Sequence, residues 1–296
     1  MPSAGQAPVN PLAGVIDFHC HSGPDALPRS VSDLEIARLA RRSGMRGLVL
    51  KNHFTSTADR AALVMQEVPG LEVFGGVVLN RAVGGVNVEA VRRMTEFEGG
   101  RGKVVWLPTF DAENHVRHGR EQRPSVPVMR NGQPVPKLAE VLRLIAEKDL
   151  VLATGHSSAE DTLALIPAAK RAGVRKILVT HAMADPINAG DAQMRRMGEL
   201  GAVIECVWAT HLAGDHAPSP SGRTQKQVTV AEYARAIRAI GAEHFLISSD
   251  LGQYLNPLHP DGLKAFITGL REAGITEADI DRMARRNPAR LLGLRE

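Results

Sequence analysis

The sequence predicts an α/β fold in which eight parallel strands form a (β/α)8 TIM barrel, with a helical extension at the C-terminus. Eight short apolar segments rich in β-branched residues alternate with eight amphipathic segments of helical period. Glycines follow five of the helical segments, as expected where helices end in a left-handed residue. The 296 residues are enough for this barrel, which commonly needs about 250.

Each strand and helix can be assigned a range from this alternation. The predicted strands are 15–21, 46–53, 71–79, 103–110, 150–156, 175–181, 202–208 and 244–250. The predicted helices are 33–43, 57–67, 87–97, 137–148, 159–172, 191–200, 230–240 and 261–273. Ser32 with Glu35, and Thr229 with Glu232, have the spacing of capping boxes, which mark the beginning of a helix.

The predicted domain organisation is a short N-terminal arm, residues 1–14, and one barrel domain, residues 15–296. Two connections, 111–136 and 211–228, are long and rich in polar residues. Each follows a predicted strand, so we expect both to emerge at the C-terminal face of the barrel. Long loops at that face commonly cover an active site.

Composition excludes several classes of function. The net charge is +4, but the 36 basic and 32 acidic residues are interspersed, which argues against a nucleic-acid partner. No apolar run is long enough for a membrane span, and the first residues lack the pattern of a signal peptide. Two cysteines, Cys20 and Cys206, are too few for a disulfide framework. We therefore expect a cytoplasmic protein that acts on a small molecule, and leave a homo-oligomer open.

Metal-ligating residue types occur where the predicted strands end. His19 and His21 are two residues apart, so on a strand they point to the same side, while Cys20 points to the other. In a closed barrel they meet side chains from later strands. The candidates from those strands are His156, His181 and Asp250. Imidazole and carboxylate ligands together are typical of zinc, manganese, iron or nickel.

This set of residues resembles the amidohydrolase superfamily of metal-dependent (β/α)8 barrels. The resemblance rests on His19-x-His21 in strand one, His156, His181 and Asp250 at strands five, six and eight, and the closing segment RRNPARLLGL. It implies one or two divalent metals, zinc first and manganese second. It also implies that Asp250 is catalytic and shuttles protons. The branch it resembles is a poorly characterised amidohydrolase-like set, which names no substrate.

The predicted function is hydrolysis by a metal-activated water of a C–N or C–O bond in a small amide, cyclic amide, lactone or ester. Phosphoester hydrolysis and a non-hydrolytic decarboxylase or isomerase on the same barrel are alternative functions. A metal-binding assembly protein is the non-enzyme alternative.

Asp17 is a candidate for orienting a ligand imidazole, while Glu205 is more readily a structural residue at the edge of the core. Basic residues at 117, 118, 120, 123 and 130 favour either an anionic substrate or a solvated loop.

The chain departs from the superfamily pattern at strand four. Many binuclear members have a carboxylated lysine or a glutamate there, whereas 103–110 ends with neither. Lys51 on strand two is the substitute we consider, either as a carbamate bridging two metals or as a catalytic cation facing substrate, with His53 as a further catalytic candidate. One observation opposes this. An internal repeat, 40–53 against 169–182, aligns Asn52 with His181, so that Lys51 and His53 would face the helices.

Overall fold

The computed structural model describes residues 10–295, and these form the predicted barrel. Eight parallel strands make one sheet, in which each strand pairs with the next along the chain. We number them β1 Ile16–Cys20, β2 Gly47–Leu50, β3 Glu72–Val78, β4 Gly102–Trp106, β5 Val151–Ala153, β6 Lys176–Val179, β7 Val203–Val207 and β8 Phe245–Ser248. A parallel bridge from Cys20 to Leu251 brings the end of β8 against β1. The predicted fold class is confirmed.

One of the eight predicted helices follows each strand, and the bounds of these helices lie within two residues of the predicted ones. They are α1 Asp33–Arg42, α2 Ala58–Glu67, α3 Val88–Glu96, α4 Pro136–Glu147, α5 Ala159–Arg171, α6 Asp191–Glu199, α7 Val230–Ile240 and α8 His259–Glu272. Both predicted capping boxes form, at Ser32 with Glu35 and at Thr229 with Glu232. They satisfy backbone N–H groups at the first turn of α1 and α7.

The buried apolar residues form an outer core between the strands and helices and an inner core inside the barrel. Inward-facing side chains such as Phe18, Val49 and Trp106 fill the inner core. The C-terminal helix, Asn287–Leu292, adds apolar side chains to the same cluster. Its Asn287 side chain donates a hydrogen bond to the backbone oxygen of Phe245, the first residue of β8, at 2.6 Å. This helix therefore covers the N-terminal end of the barrel and leaves the opposite end for a site.

A bulge in β1 changes which side chains point inward. Asp17 pairs with Leu48 and Cys20 with Leu50, so β1 has one residue more than β2 over this stretch. Phe18 belongs to the inner core, whereas Cys20 packs in the outer core with Leu48. The extra residue brings His19 to the inner side directly after Phe18, as a bulge allows. Asp17, with Leu48, belongs to the outward-facing set.

Both predicted long loops carry some regular structure. The loop after β4 contains a helix, Glu113–His118, and a two-stranded hairpin, Met129–Arg130 with Gln133–Pro134. The other connection follows the short helix Trp208–His211 and contains a 3₁₀ turn, Pro220–Gly222.

Residues 1–9 of the predicted N-terminal arm lie outside the described residues. The following segment is a turn in which Leu12 is buried and Asn10 donates a side-chain hydrogen bond to the Ser43 backbone oxygen at 2.8 Å. Within residues 10–295, no helix combines the length and the apolar character that crossing a membrane requires.

We expect Gly155→Ala to destabilise the barrel more than Gly100→Ala does. Both glycines have left-handed backbone, with φ of +58° and +63°. A Cβ at Gly155 would lie 2.3 Å from the Leu107 backbone oxygen, whereas one at Gly100 meets nothing within 4 Å. Gly100→Ala thus measures the backbone term alone, about 1 kcal/mol, and Gly155→Ala adds an overpacking cost of about 1–3 kcal/mol. Urea unfolding measures both variants, and equal losses would contradict the expectation.

Candidate metal centre

A cavity of about 420 Å³ lies at the C-terminal ends of the strands. Six titratable side chains that follow the barrel strands line it, together with residues of both long loops. These six are His21, Lys51, His53, His156, His181 and Asp250. The barrel therefore brings the predicted site residues to one space, although they are separated by as much as 229 positions in the sequence, from residue 21 to residue 250.

The tightest cluster in this region consists of His19, His21 and Asp250. The Nε2 atoms of the two histidines lie 3.1 and 3.2 Å from the same Asp250 oxygen, Oδ1. In the part of the chain that the structure describes, no other three histidine, cysteine or acidic side chains bring ligand atoms within 4.8 Å of one another. Asp250 is held here by left-handed backbone, φ +50°, and by its N–H, which donates to the His19 oxygen at 2.9 Å.

Acceptors beside Nδ1 favour the tautomer of each histidine that leaves Nε2 free to bind a metal. His19 Nδ1 lies 3.2 Å from both carboxylate oxygens of Glu205, and His21 Nδ1 lies 3.1 Å from the backbone oxygen of Lys51. Carbonyl and ionised carboxylate oxygens only accept, so Nδ1 is the donor toward them in the metal-binding tautomer of both neutral rings. Both Nε2 lone pairs then face Asp250 Oδ1, which is itself an acceptor. Two imidazole nitrogens and one carboxylate oxygen facing one another fit a divalent cation.

Burial keeps these histidines neutral. It lowers the pKa of His19 to about 3 and that of His181 to about 4, because the charged ring loses its hydration. The pKa values of His21 and His156 are lowered well below the usual range for the same reason. A neutral imidazole is the form that ligates a metal, so the cavity holds its histidines in that form at neutral pH.

Lys51 lies beside the same cluster. Its Nζ is 2.9 Å from His19 Nε2 and 5.6 Å from the centre of the Trp106 ring. Burial lowers the pKa of this lysine to about 8, although the nearby carboxylates of Asp250 and Glu205 act in the opposite direction. The structure thus places a buried amine next to a nitrogen that faces the candidate metal position.

The orientation predicted from the internal repeat is wrong for Lys51 and His53, since both line the cavity. The aligned residues Val49 and Leu178 both point into the inner core, so Lys51, two residues after Val49, points inward as well. The alignment failed because it used His181 as the reference for which residues face inward. His181 lies beyond β6 and has a φ of +23°. That left-handed backbone places its side chain out of the strand alternation on which the alignment relied.

His156 and His181 line the cavity but lie outside the three-residue cluster. The His181 ring stacks near that of His19, with centres 6.1 Å apart, and is 5.0 Å from the ring of His156. His181 Nδ1 is buried and has no hydrogen-bond partner among the described residues. His156 Nδ1 lies 2.8 Å from Nδ1 of His115, a loop residue that the sequence did not indicate.

His53 packs on His21 at the cavity wall. The two rings stack with centres 4.8 Å apart, and the His53 ring also lies 4.1 Å from that of Phe110. Its Nδ1 is 2.9 Å from the Thr109 hydroxyl, which accepts a hydrogen bond from the Asn80 side chain at 2.8 Å. These contacts orient His53 toward the cavity beside His21.

In the structure the orienting role considered for Asp17 belongs to Glu205, which also has the backbone hydrogen bond of a core-edge residue. Asp17 Oδ1 accepts from the backbone N–H groups of Ser249 and His19 and contacts no ligand imidazole, because the β1 bulge separates it from the histidine face. Glu205 instead accepts from His19 Nδ1 and from the His181 backbone N–H at 3.1 Å. Its place two residues after the inward-facing Val203 was the signal available in the sequence.

The loop arginines do not supply charge to the cavity. Arg123 pairs with Asp111 and Glu121, and Arg130 with Glu113. Neither these two nor the exposed Arg117 and Arg120 line the cavity, so the solvated-loop alternative describes them better. His118 does line it, and lies 3.6 Å from Asp185.

Comparison with known proteins identifies both a family and a fold. A family model described as "Family of unknown function (DUF6282)" matches residues 14–205. No curated protein matches the chain.

Three solved structures illustrate the structural likeness. An amidohydrolase from Pseudomonas aeruginosa has a TM-score of 0.66 at 11% identity, covering 96% of each chain. A triple mutant of organophosphorus hydrolase from Deinococcus radiodurans has a TM-score of 0.62 at 18% identity, covering 96% of this chain and 94% of the other. 2,6-Dihydroxybenzoate decarboxylase from Rhizobium has a TM-score of 0.59 at 13% identity, covering 95% and 99%. At these identities the likeness establishes the shared barrel.

We expect Glu205→Gln to weaken metal binding by about 10–100-fold, the range for losing a partner of a ligand histidine. His19 Nδ1 lies 3.2 Å from both carboxylate oxygens, so in either orientation the amide nitrogen of a glutamine would bring a donor against the His19 Nδ1–H. Titration of the metal-free protein with Zn²⁺ measures the change. Glu199→Gln, at an exposed position on α6, is the control and should bind as the wild type does. An unchanged affinity in Glu205→Gln would contradict the positioning role.

Proposed function

Because the chain belongs to the DUF6282 family, described as a family of unknown function, we propose from its own site that it is a metal-dependent hydrolase. The bond cleaved is a C–N or C–O bond in a small amide, cyclic amide, lactone or ester. The observation that carries this proposal is the convergence of His19 Nε2, His21 Nε2 and Asp250 Oδ1, two neutral nitrogen ligands and one carboxylate oxygen.

His19, His21 and Asp250 are the residues that would hold the metal, zinc in the first place and manganese in the second. The bound metal would supply Lewis-acid activation of a water molecule and of the substrate carbonyl. Glu205 and the Lys51 backbone oxygen keep the two Nε2 lone pairs directed at it, through the protons on Nδ1. The organophosphorus hydrolase and amidohydrolase likenesses support the proposal at the level of the shared fold.

Asp250 is the group that we assign to proton transfer. Its side chain is 17% exposed, whereas those of His19 and His21 are at most 3% exposed, so it is the member of the cluster most open to the cavity. Its carboxylate accepts the proton of the attacking water and returns it to the leaving nitrogen or oxygen. His53, stacked on His21, is a further candidate for contact with substrate.

Lys51, His156 and His181 are the residues that we assign to a second metal position. A carbamate forms only on a neutral amine, and burial lowers the Lys51 pKa to about 8, which favours that form. Lys51 would then replace the acidic or lysine ligand that β4 lacks. We also place the protein in the cytoplasm, where the free, buried Cys20 and Cys206 remain reduced.

Two substitutions separate metal binding from proton transfer. We expect His19→Ala to lose most of the bound metal, because one of two nitrogen ligands is removed. Asp250→Asn should keep most of the metal and lose at least about 100-fold in turnover, the range for acid–base catalysis. Elemental analysis of the purified proteins gives metal content, and a panel of amides, lactones, carboxylic esters and phosphate esters gives turnover.

His216→Ala, at an exposed position, is the matched control and should retain both metal and activity. A wild-type protein that stays metal-free after incubation with Zn²⁺ and Mn²⁺ would overturn the proposal. Turnover of Asp250→Asn within about threefold of wild type would remove the proton-transfer role alone. Cleavage restricted to phosphate esters would reassign the substrate class.

Lys51→Ala tests the second metal position. We expect two metals per chain in wild type prepared with bicarbonate and excess Zn²⁺, and at most one in Lys51→Ala, because a residue that would hold the second metal is lost. Elemental analysis measures the ratio, and Lys264→Ala, on the exposed side of α8, is the control. One metal per chain in both wild type and Lys51→Ala would exclude the carbamate and leave Lys51 as a cation beside the site.

A further inference from the structure

Arg29 contributes a guanidinium group to the cavity wall, and the mechanism above does not use it. It lies in the loop between β1 and α1, and its side chain is 5% exposed. Among the described residues that line the cavity it is the single arginine. The loop arginines singled out in the sequence are elsewhere, so Arg29 is the arginine that a bound molecule would meet.

A buried carboxylate holds Arg29 in place. Arg29 Nε donates to Asp25 Oδ2 at 2.7 Å, and the Asp25 side chain is 0% exposed. The other Asp25 oxygen accepts from the Leu27 backbone N–H at 3.2 Å. The backbone of Arg29 also pairs with that of Gln253, beyond β8. The guanidinium is therefore fixed before any ligand binds, which lowers the entropy lost on binding.

The remaining edge of the guanidinium lacks an acceptor among the described residues. Arg29 Nη2 approaches one polar atom, His21 Nδ1, at 3.3 Å. In the tautomer whose Nε2 ligates a metal, that nitrogen carries the proton and donates it to the Lys51 backbone oxygen, so it does not accept from Arg29. N–H donors that are this deeply buried and lack an acceptor are costly, and this edge of the guanidinium is directed at a cavity rather than at packed side chains.

The acidic residues around the cavity are already engaged. Glu121 pairs with Arg123, and Asp185 accepts from the Asn188 side chain and from the Lys226 backbone N–H. Asp250 faces His19 and His21. None of these carboxylates pairs with Arg29 in the described residues, so its free edge is available to a ligand.

We propose that Arg29 binds an oxyanion of the substrate, either a carboxylate or a phosphoryl group, and so sets specificity for anionic substrates. This inference rests on the proposed hydrolase function and names its substrate class. A guanidinium offers two parallel N–H donors, the geometry that suits these oxyanions. Arg29 Nη2 lies beside His21 Nδ1, and the other nitrogen of that ring, Nε2, is the candidate metal ligand. An oxyanion bound by Arg29 would therefore lie close to the bond that is cleaved.

Calorimetric binding of three probes to the metal-loaded protein tests this. The probes share an acetylated amine and differ in charge: N-acetylglycine, N-acetylaminomethylphosphonate and the neutral N-acetylglycinamide. We expect wild type to bind at least one charged probe ten or more times more tightly than the neutral one. Arg29→Met should lose this preference. Arg29→Lys should retain a smaller one, because an ammonium keeps the charge but not the paired donors.

The matched control is Arg117→Met, which removes an exposed arginine outside the cavity and should keep the full preference. Arg29→Met with Asp25→Asn removes both charges of the buried pair, so that an unpaired Asp25 does not obscure the result. Which charged probe binds better separates a carboxylate from a phosphoryl substrate.

The inference is overturned if wild type does not distinguish charged from neutral probes, if Arg29→Met retains the preference, or if Arg117→Met loses it. The same titrations on metal-free protein separate it from the proposed function. A preference that depends on Arg29 in a protein without hydrolytic activity supports the oxyanion site and rejects the hydrolase. Hydrolysis of neutral substrates without the preference does the reverse.

Discussion

One buried carboxylate, Glu205, organises the site. It accepts hydrogen bonds from His19 Nδ1 and from the His181 backbone, and thereby orients a residue of β1 and one that follows β6. Burial raises the Glu205 pKa to about 7, because the ionised form loses hydration, while the histidine and lysine near it act in the opposite direction. A buried carboxylate is tolerated when donors surround it. The hydrogen bond from His19 Nδ1 to Glu205 also directs the other ring nitrogen, Nε2, toward Asp250. The same hydrogen bond therefore stabilises the buried carboxylate and orients the histidine.

Three residues that follow barrel strands have left-handed backbone, a conformation that costs free energy in residues other than glycine and clusters at functional sites. His181 and Asp250 have φ values of +23° and +50°, and Gly155, before His156, has +58°. Left-handed backbone is unfavourable for residues other than glycine, and such residues concentrate at functional sites. After β5 and β6 the departures turn His156 and His181 toward the cavity, although simple alternation from the inward-facing Ala153 and Leu178 would direct them outward. The regular barrel fixes where the strands end, and the turns at Gly155 and His181 add His156 and His181 to the side chains that face the cavity.

Strands and helices have local sequence signals, whereas bulges and loop contacts do not. This difference explains which parts of the fold and of the site could be predicted from the sequence. Short apolar, β-branched runs and glycines after helices are local signals, so the eight strands and helices were predictable to within a few residues. The grouping of His19, His21 and Asp250 was predictable because strand ends of a barrel converge. The role of Asp17 was not, because a one-residue bulge in β1 has no clear local signature. Arg29 was missed because its significance depends on the distant contacts of a loop.

The state of Lys51 is physically coupled to metal binding. Its Nζ lies 2.9 Å from His19 Nε2, while Asp250 Oδ1 lies 3.1 Å from the same nitrogen. A protonated amine and a divalent cation repel each other strongly at such separations in a buried site. A metal bound by His19 therefore requires Lys51 to lose its proton, to be carboxylated, or to turn away. Burial already lowers the Lys51 pKa to about 8, so the barrel reduces the cost of the first two changes. The number of bound metals consequently depends on the protonation or carboxylation state of Lys51 Nζ.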